Sequence, residues 1–163
     1  MTTIRAIHDD EIAELSAITV AAYRTLSVDV GEYRATLADV ADRVRHARVL
    51  VAVDGDCLLG GVTYVPDATS PYAEFTDADG AGIRMLAVAP AVHGRGVGET
   101  LVTACVAMAR ADGRRRVVLH TTDAMAAAQR LYARLGFARA TGRDWSPQPH
   151  ITLLGYELEL GDI

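Results

Sequence analysis

The stretch "LAVAPAVHGRGVGETL", Leu86 to Leu101, decides the reading of this chain. Glycine stands at 94, 96 and 98, immediately ahead of a run with helical spacing. Inside regular structure a glycine costs roughly 0.5–1 kcal/mol relative to alanine, so three in five positions at a helix start raise the question of what approaches the backbone there. A loop of small residues feeding a helix N-terminus presents several unpaired N–H groups and the positive end of the helix dipole. It also lets an anion in without side-chain obstruction. The stretch therefore predicts a phosphate or pyrophosphate site. The competing account is a flexible turn with no ligand, because short glycine motifs recur by chance.

The flanking sequence supplies the context. Upstream, "IRMLAVAP" reads as a strand ended by Pro90; downstream, Leu101, Val102, Cys105 and Met108 form the apolar side of a helix that stops near Gly113. "RRRVVLHTT" is then a strand, "AMAAAQRLYARLG" a short helix capped by Gly136, and "FARATG" and "ITLLGYELEL" the final strands, joined by "GRDWSPQPH". Toward the N-terminus, a short apolar start at Ile4 to Ile7 precedes a helix with Ile12, Leu15, Ile18 and Ala22 on one face. A second helix over 31–46 places Tyr33, Leu37, Val40 and Val44 at helical spacing. "RVLVAVDGDCLLGGVTYV" is a hairpin turning at Asp54-Gly55, a pair that accepts positive φ. A long, turn-rich connection, "PDATSPYAEFTDADGAG", leads back to the strand before the glycines. The order β, α, α, β, β, β, α, β, α, β, β gives an α/β (α+β) fold. Its central sheet is mixed but mostly antiparallel, with helices flanking it and one parallel crossover across the glycines.

Composition narrows the function. The chain has 163 residues, half of them apolar, which fits one domain over 1–163 with a core that needs no staples. No uncharged apolar run approaches the ~20 residues of a membrane span, and "MTTIRAIHDDEI" lacks a signal-peptide core, so a soluble, cytoplasmic protein without a membrane partner is expected. The net charge of −5 gives no basic face for nucleic acid. Every base is arginine; lysine is absent, which removes Schiff-base lysine chemistry and the P-loop lysine together. Cys57 and Cys105 lack metal spacing and are expected to be buried small hydrophobes. No metal site is expected.

Three phosphate-binding schemes can be weighed against the loop. A P-loop needs a lysine where Glu99 and Thr100 follow Gly98. A dinucleotide-binding turn wants GxGxxG directly after its strand, whereas here the glycines alternate and Pro90 to His93 intervene, though Asp123 keeps that alternative open. The third scheme is a family. From Ile83 to Phe137 the sequence resembles the GNAT superfamily of N-acetyltransferases, with "LAVAPAVHGRGVG" in place of its strand, proline link and RGxGxG loop. "AAQRLYARLGF", Ala127 to Phe137, stands in place of its AxxLYxxxGF signature. The resemblance implies the GNAT acyl-CoA N-acyltransferase fold and acetyl-CoA as cosubstrate. It implies contacts to the cofactor from the strand segment Leu86, Ala87 and Val88 and from the loop His93, Gly94, Arg95, Gly96, Val97 and Gly98. Two positions depart from the pattern: His93 replaces the usual arginine or glutamine, and Met125 stands where many members carry asparagine, so a packing contact is expected from Met125.

The chemistry so implied is acyl transfer from a thioester to an amine, which needs a proton acceptor for the amine and a donor for the departing thiolate. The family places the tyrosine of the second signature near the cofactor sulfur, making Tyr132 the candidate acid. Its counterpart in position to a glutamate base of some members is His120, and Glu74 in the long connection is the second candidate base. Asp77 and Asp79 read as solvated loop acids, and Arg114 to Arg116 as cations suited to a helix end. The acceptor is expected to be a small-molecule or peptide amine, and a homodimer is compatible with the sequence. A noncatalytic acyl-CoA-binding sensor using the same loop is the alternative, with a dinucleotide-dependent oxidoreductase behind it.

Overall fold

A computed structural model describes residues 1–24 and 33–161. Its elements are β1 Thr3–Ala6, α1 Ile12–Arg24, α2 Tyr33–Ala38, α3 Val40–His46, β2 Arg48–Asp54, β3 Cys57–Val65 and β4 Gly80–Val88. They continue with α4 Val97–Ala111, β5 Arg116–Thr121, α5 Ala126–Arg134, β6 Ala138–Arg139, β7 Trp145–Gln148 and β8 Ile151–Glu159. One sheet runs in the order β1-β2-β3-β4-β5-β8-β6, with β7 paired to β8. Its pairs are antiparallel except β4 and β5, the parallel crossover predicted across the glycines. No helix among the described residues is long and apolar enough to cross a membrane.

Alternation along the strands sorts apolar side chains onto two faces. In β2, Leu50 and Ala52 join the main core under α4 and α5, while Val49, Val51 and Val53 pack with Leu15 of α1 and Val40 of α3 on the other face. In β5, Val117 and Leu119 enter the main core, and Val118 enters a third cluster with Leu37, Tyr72 and Phe75. A sheet covered on both faces needs strands that are apolar throughout. That is why "RVLVAV" and "RRVVL" read as near-continuous apolar runs.

Several expectations are corrected. The single helix expected over 31–46 is two, because the Asp39 side chain accepts from Asp42 N–H at 3.1 Å and caps a new helix start; residues 31 and 32 of that helix lie outside the described residues. β4 begins at Gly80, three residues earlier than expected. "FARATG" contributes only the two-residue β6, and part of "GRDWSPQPH" is a strand, β7, hairpinned onto β8. Cys57 is exposed beside its hairpin turn, whereas Cys105 is buried as expected.

Arginines and carboxylates lace the sheet's far end. Asp77 is only 17 % exposed and accepts from Arg116 at 3.0 Å and from Arg143 at 2.8 and 2.9 Å, so it is a clamped ion rather than a solvated loop acid. Arg116 also pairs with Asp79 and Glu159. The Arg143 hydrogen bonds hold the Asp77 carboxyl at about 2, and those from Arg5 do the same for Glu11. Both groups have folded-state values below their unfolded ones, so their contribution is complete above the ordinary carboxylate range near 4 and is lost as the pH falls through about 2. Resistance to urea is expected to hold from neutrality to about pH 4 and then to fall. Asp77→Asn should lower the midpoint at pH 7 and make the acid loss shallower; equal slopes in parent and variant would contradict the assignment.

Candidate active site

The site begins where two parallel strands part. β4 pairs with β5 only over Gly80 to Ile83, against Arg116 to Leu119, although β4 runs on to Val88. On its other side, the register with β3 passes from Thr63↔Arg84 to Gly61↔Ala87, leaving Met85 and Leu86 opposite Val62 alone. This is a bulge. Met85 has φ +55°, the one positive φ at a non-glycine among the described residues, a conformation that costs an L-residue roughly 1–2 kcal/mol. The side chains record it: Ala81 and Ile83 face the main core, Met85 falls into the third cluster, and Leu86 and Val88 return to the main-core side. Beyond the bulge the strands diverge, and a groove of about 430 Å³ opens between β4, the glycine loop and α5.

The glycine loop forms one end of this groove. Gly94 and Gly96 have φ of +79° and +78°, and Gly96 caps α4 in the left-handed region. A side chain at either would meet no atom within 4 Å, so both face open space. The N–H groups of Gly94 to Gly98 donate to no backbone acceptor among the described residues, as the start of a helix requires. Leu86, Ala87, Val88, His93, Gly94, Gly96, Val97, Gly98 and Met125 all line the groove. Arg95 does not; it is exposed on the outside of the loop. The His93 ring turns back onto its own loop, with Nε2 2.9 Å from the Val88 carbonyl oxygen. Met125 accepts a hydrogen bond from the Thr121 hydroxyl at 3.3 Å, tying its thioether to β5.

The other end carries the titratable groups. Tyr132, on α5, is 6 % exposed and packs its ring against Phe137 and Tyr156, yet its edge lines the groove. Its hydroxyl has no hydrogen-bond partner among the described residues, and burial raises its pKa, so the proton is retained. The His120 side chain is 2 % exposed. Its Nε2 lies 2.9 Å from the Arg143 carbonyl oxygen, which can only accept, so Nε2 bears the proton and Nδ1 the lone pair. That Nδ1 is buried without a hydrogen bond, 3.9 Å from Glu74 Oε1. Glu74 is in turn held by Arg84 Nε at 2.9 Å.

The two bases that the sequence offered as alternatives are thus neighbours, brought together from the long connection and β5. Arg84 and Tyr23 also border the groove, beyond the residues that the sequence points to. Arg84 had a signal, as the one charge within the apolar run "IRMLAVAP"; Tyr23 had none beyond its helix.

Comparison with known proteins places the chain in a family. The model of the acetyltransferase (GNAT) family matches residues 10–137, and the chain belongs to that family. No curated protein sequence matches it. Among solved structures, yncA of Salmonella typhimurium, determined with its cofactor acetyl-CoA, superimposes with a TM-score of 0.72 at 20% identity, over 100% of this chain and 96% of that one. A GNAT family acetyltransferase of Brucella melitensis in complex with acetyl-CoA gives 0.67 at 22%, over 100% and 91%. An acetyltransferase of the GNAT family from Staphylococcus aureus Mu50 gives 0.77 at 14%, over 99% and 100%.

Because the Tyr132 hydroxyl bonds to nothing among the described residues, removing it should leave folding nearly untouched. Tyr132→Phe is expected to unfold in urea within about 0.5 kcal/mol of the parent. A loss above about 1 kcal/mol would mean that the hydroxyl has a structural partner.

Proposed function

We propose that the chain transfers an acetyl group from acetyl-CoA to a primary amine by direct attack within a ternary complex. The observation that carries this reading is the groove itself. Unpaired backbone N–H groups stand at one end, and at the other are the side chains of Tyr132 and His120, with His120 Nδ1 buried and free of hydrogen bonds. Acetyl-CoA fits it chemically: its pyrophosphate suits Gly94 to Gly98, where no side chain obstructs, and its pantetheine arm suits the strand segment Leu86 to Val88. The cosubstrate supplies an acetyl group activated as a thioester.

The remaining work falls to side chains. Tyr132 holds its proton at Oη for delivery to the departing sulfur, and its raised pKa keeps that proton in place until then. His120 accepts the amine's proton at Nδ1, and the N–H so formed faces Glu74 Oε1 across the 3.9 Å gap. Arg84 holds Glu74 ready for it. His120 and Glu74 therefore act as one unit. The acceptor is a small-molecule or peptide amine. A cytoplasmic setting goes with this reading, since acetyl-CoA is an intracellular metabolite.

Release of free thiol from acetyl-CoA on addition of amines tests the function; binding of acetyl-CoA with no release across a broad amine panel would identify a noncatalytic sensor instead. For the mechanism, Tyr132→Phe should lower the single-turnover rate at least about tenfold with acetyl-CoA affinity unchanged, since general acid catalysis is typically worth about 10²–10⁴-fold. A parental rate, or a loss explained wholly by weaker binding, would remove Tyr132 from the role. Gly96→Val places a β-branched residue at φ +78° beside the anion site and should weaken acetyl-CoA binding by calorimetry while the protein stays folded. Unchanged affinity would falsify the cradle.

A further inference from the structure

His120 is oriented by a turn outside the groove. Thr141–Arg143 forms a single 3-10 turn between β6 and β7, folded against β8. Ala140 N–H donates to the Gly155 carbonyl at 2.8 Å, and Gly155 N–H donates to Asp144 Oδ1 at 2.8 Å. Gly155 is the register partner of His120 on β5. A Cβ at Gly155 would lie 2.5 Å from Arg143 Cβ and 2.8 Å from the Ala140 carbonyl oxygen, closer than atoms tolerate, so only glycine lets the turn settle there. In that position the Arg143 carbonyl receives the His120 Nε2–H.

The side chain of the same residue reaches the loop that carries Glu74. Arg143 donates through both terminal nitrogens to Asp77, at 2.8 and 2.9 Å, and through Nε to Glu157 at 2.9 Å. Asp77 lies three residues after Glu74. A bidentate guanidinium–carboxylate pair fixes direction as well as distance. One residue therefore joins both halves of the base: its carbonyl sets the ring of His120, and its guanidinium anchors the segment bearing the carboxylate.

We propose that Arg143 is a positioning residue for proton transfer, holding His120 in the Nε2–H form with Nδ1 turned toward Glu74. Asp77 and Gly155 are the contacts that keep it in place. The inference rests on the reading of His120 as the proton acceptor, but it has a measurement independent of turnover. Long-range proton–nitrogen correlation spectra of the histidine rings report the tautomer directly, and a His120→Gln sample identifies the signals of His120 among the five histidines.

The parent should show His120 as the Nε2–H tautomer alone. Asp77→Asn removes the charge without adding bulk, and Gly155→Ala displaces the turn without touching a charge. Both should give a mixed or exchanged tautomer and a single-turnover rate lower by roughly ten- to a hundredfold, with acetyl-CoA affinity unchanged. Arg143→Lys, which cannot form the bidentate pair, should fall between them and the parent. If Gly155→Ala does not fold, Asp77→Asn decides. A folded Asp77→Asn protein with a pure Nε2–H signal and parental turnover overturns the proposal, as does lost turnover with an unaltered tautomer. Altered tautomers in the variants of a parent that transfers no acetyl group would uphold the positioning role and overturn only the proposed function.

Discussion

The site depends on one backbone distortion. Met85 occupies the left-handed region at φ +55°, and the alternation of β4 slips by one residue there. The β4–β5 ladder ends at Ile83, just before the slip, and Leu86 to Val88 line the groove that opens beyond it. A strained non-glycine residue persists only where its surroundings over-determine it. Here Met85 is 6 % exposed within the cluster of Tyr72, Phe75 and Val118, and burial of its flexible side chain offsets the backbone cost. The same slip leaves Ile83 and Arg84 as the last residues before the divergence, and both border the groove near His120.

Beyond the bulge, the labour divides by chemical type. In the proposed mechanism anion binding falls to main-chain N–H groups, which are fixed by the start of α4 and cannot titrate. The same proposal gives proton handling to side chains whose environments differ sharply: a phenol buried among aromatic rings, and an imidazole set between a carbonyl and a carboxylate. The charged groups around them are paired, Glu74 with Arg84 and Asp77 with Arg143, so the field at His120 is set by fixed partners. Fixed dipoles and ions need little rearrangement when charge moves.

The backbone half of the site was readable in the sequence because its signals are local. Gly94, Gly96 and Gly98 stand within five residues, the strand precedes them, and the helix follows. Tyr132 is marked as a candidate by its own short signature. The proton-handling half was less so, because it joins positions 74, 84, 120 and 143, which meet only through the sheet order. His120 and Glu74 could each be named but not paired. Asp77 read as a solvated acid because nothing near it in sequence announces Arg143, 66 residues on. The Met85 bulge was invisible for a related reason: "IRMLAVAP" has the composition of an uninterrupted strand, and only the pairing with β3 exposes the extra residue. The capping signal at Asp39 is local, but the apolar spacing continues across it and reads as one helix.

The apolar interior is not continuous through the sheet. α4, α5 and the glycine-loop side rest on the main core, while Tyr72 and Phe75, which flank Glu74, belong to a separate cluster with Leu37 and Val118. Change in one cluster is therefore buffered from the other by the sheet between them. The 66–79 segment can be varied, keeping Tyr72, Glu74, Phe75 and Asp77, without repacking the helices beside the glycine loop. A fold partitioned in this way is a modular starting point for retargeting: libraries confined to the remaining positions of that segment would vary the surface beside Glu74 on a constant chassis.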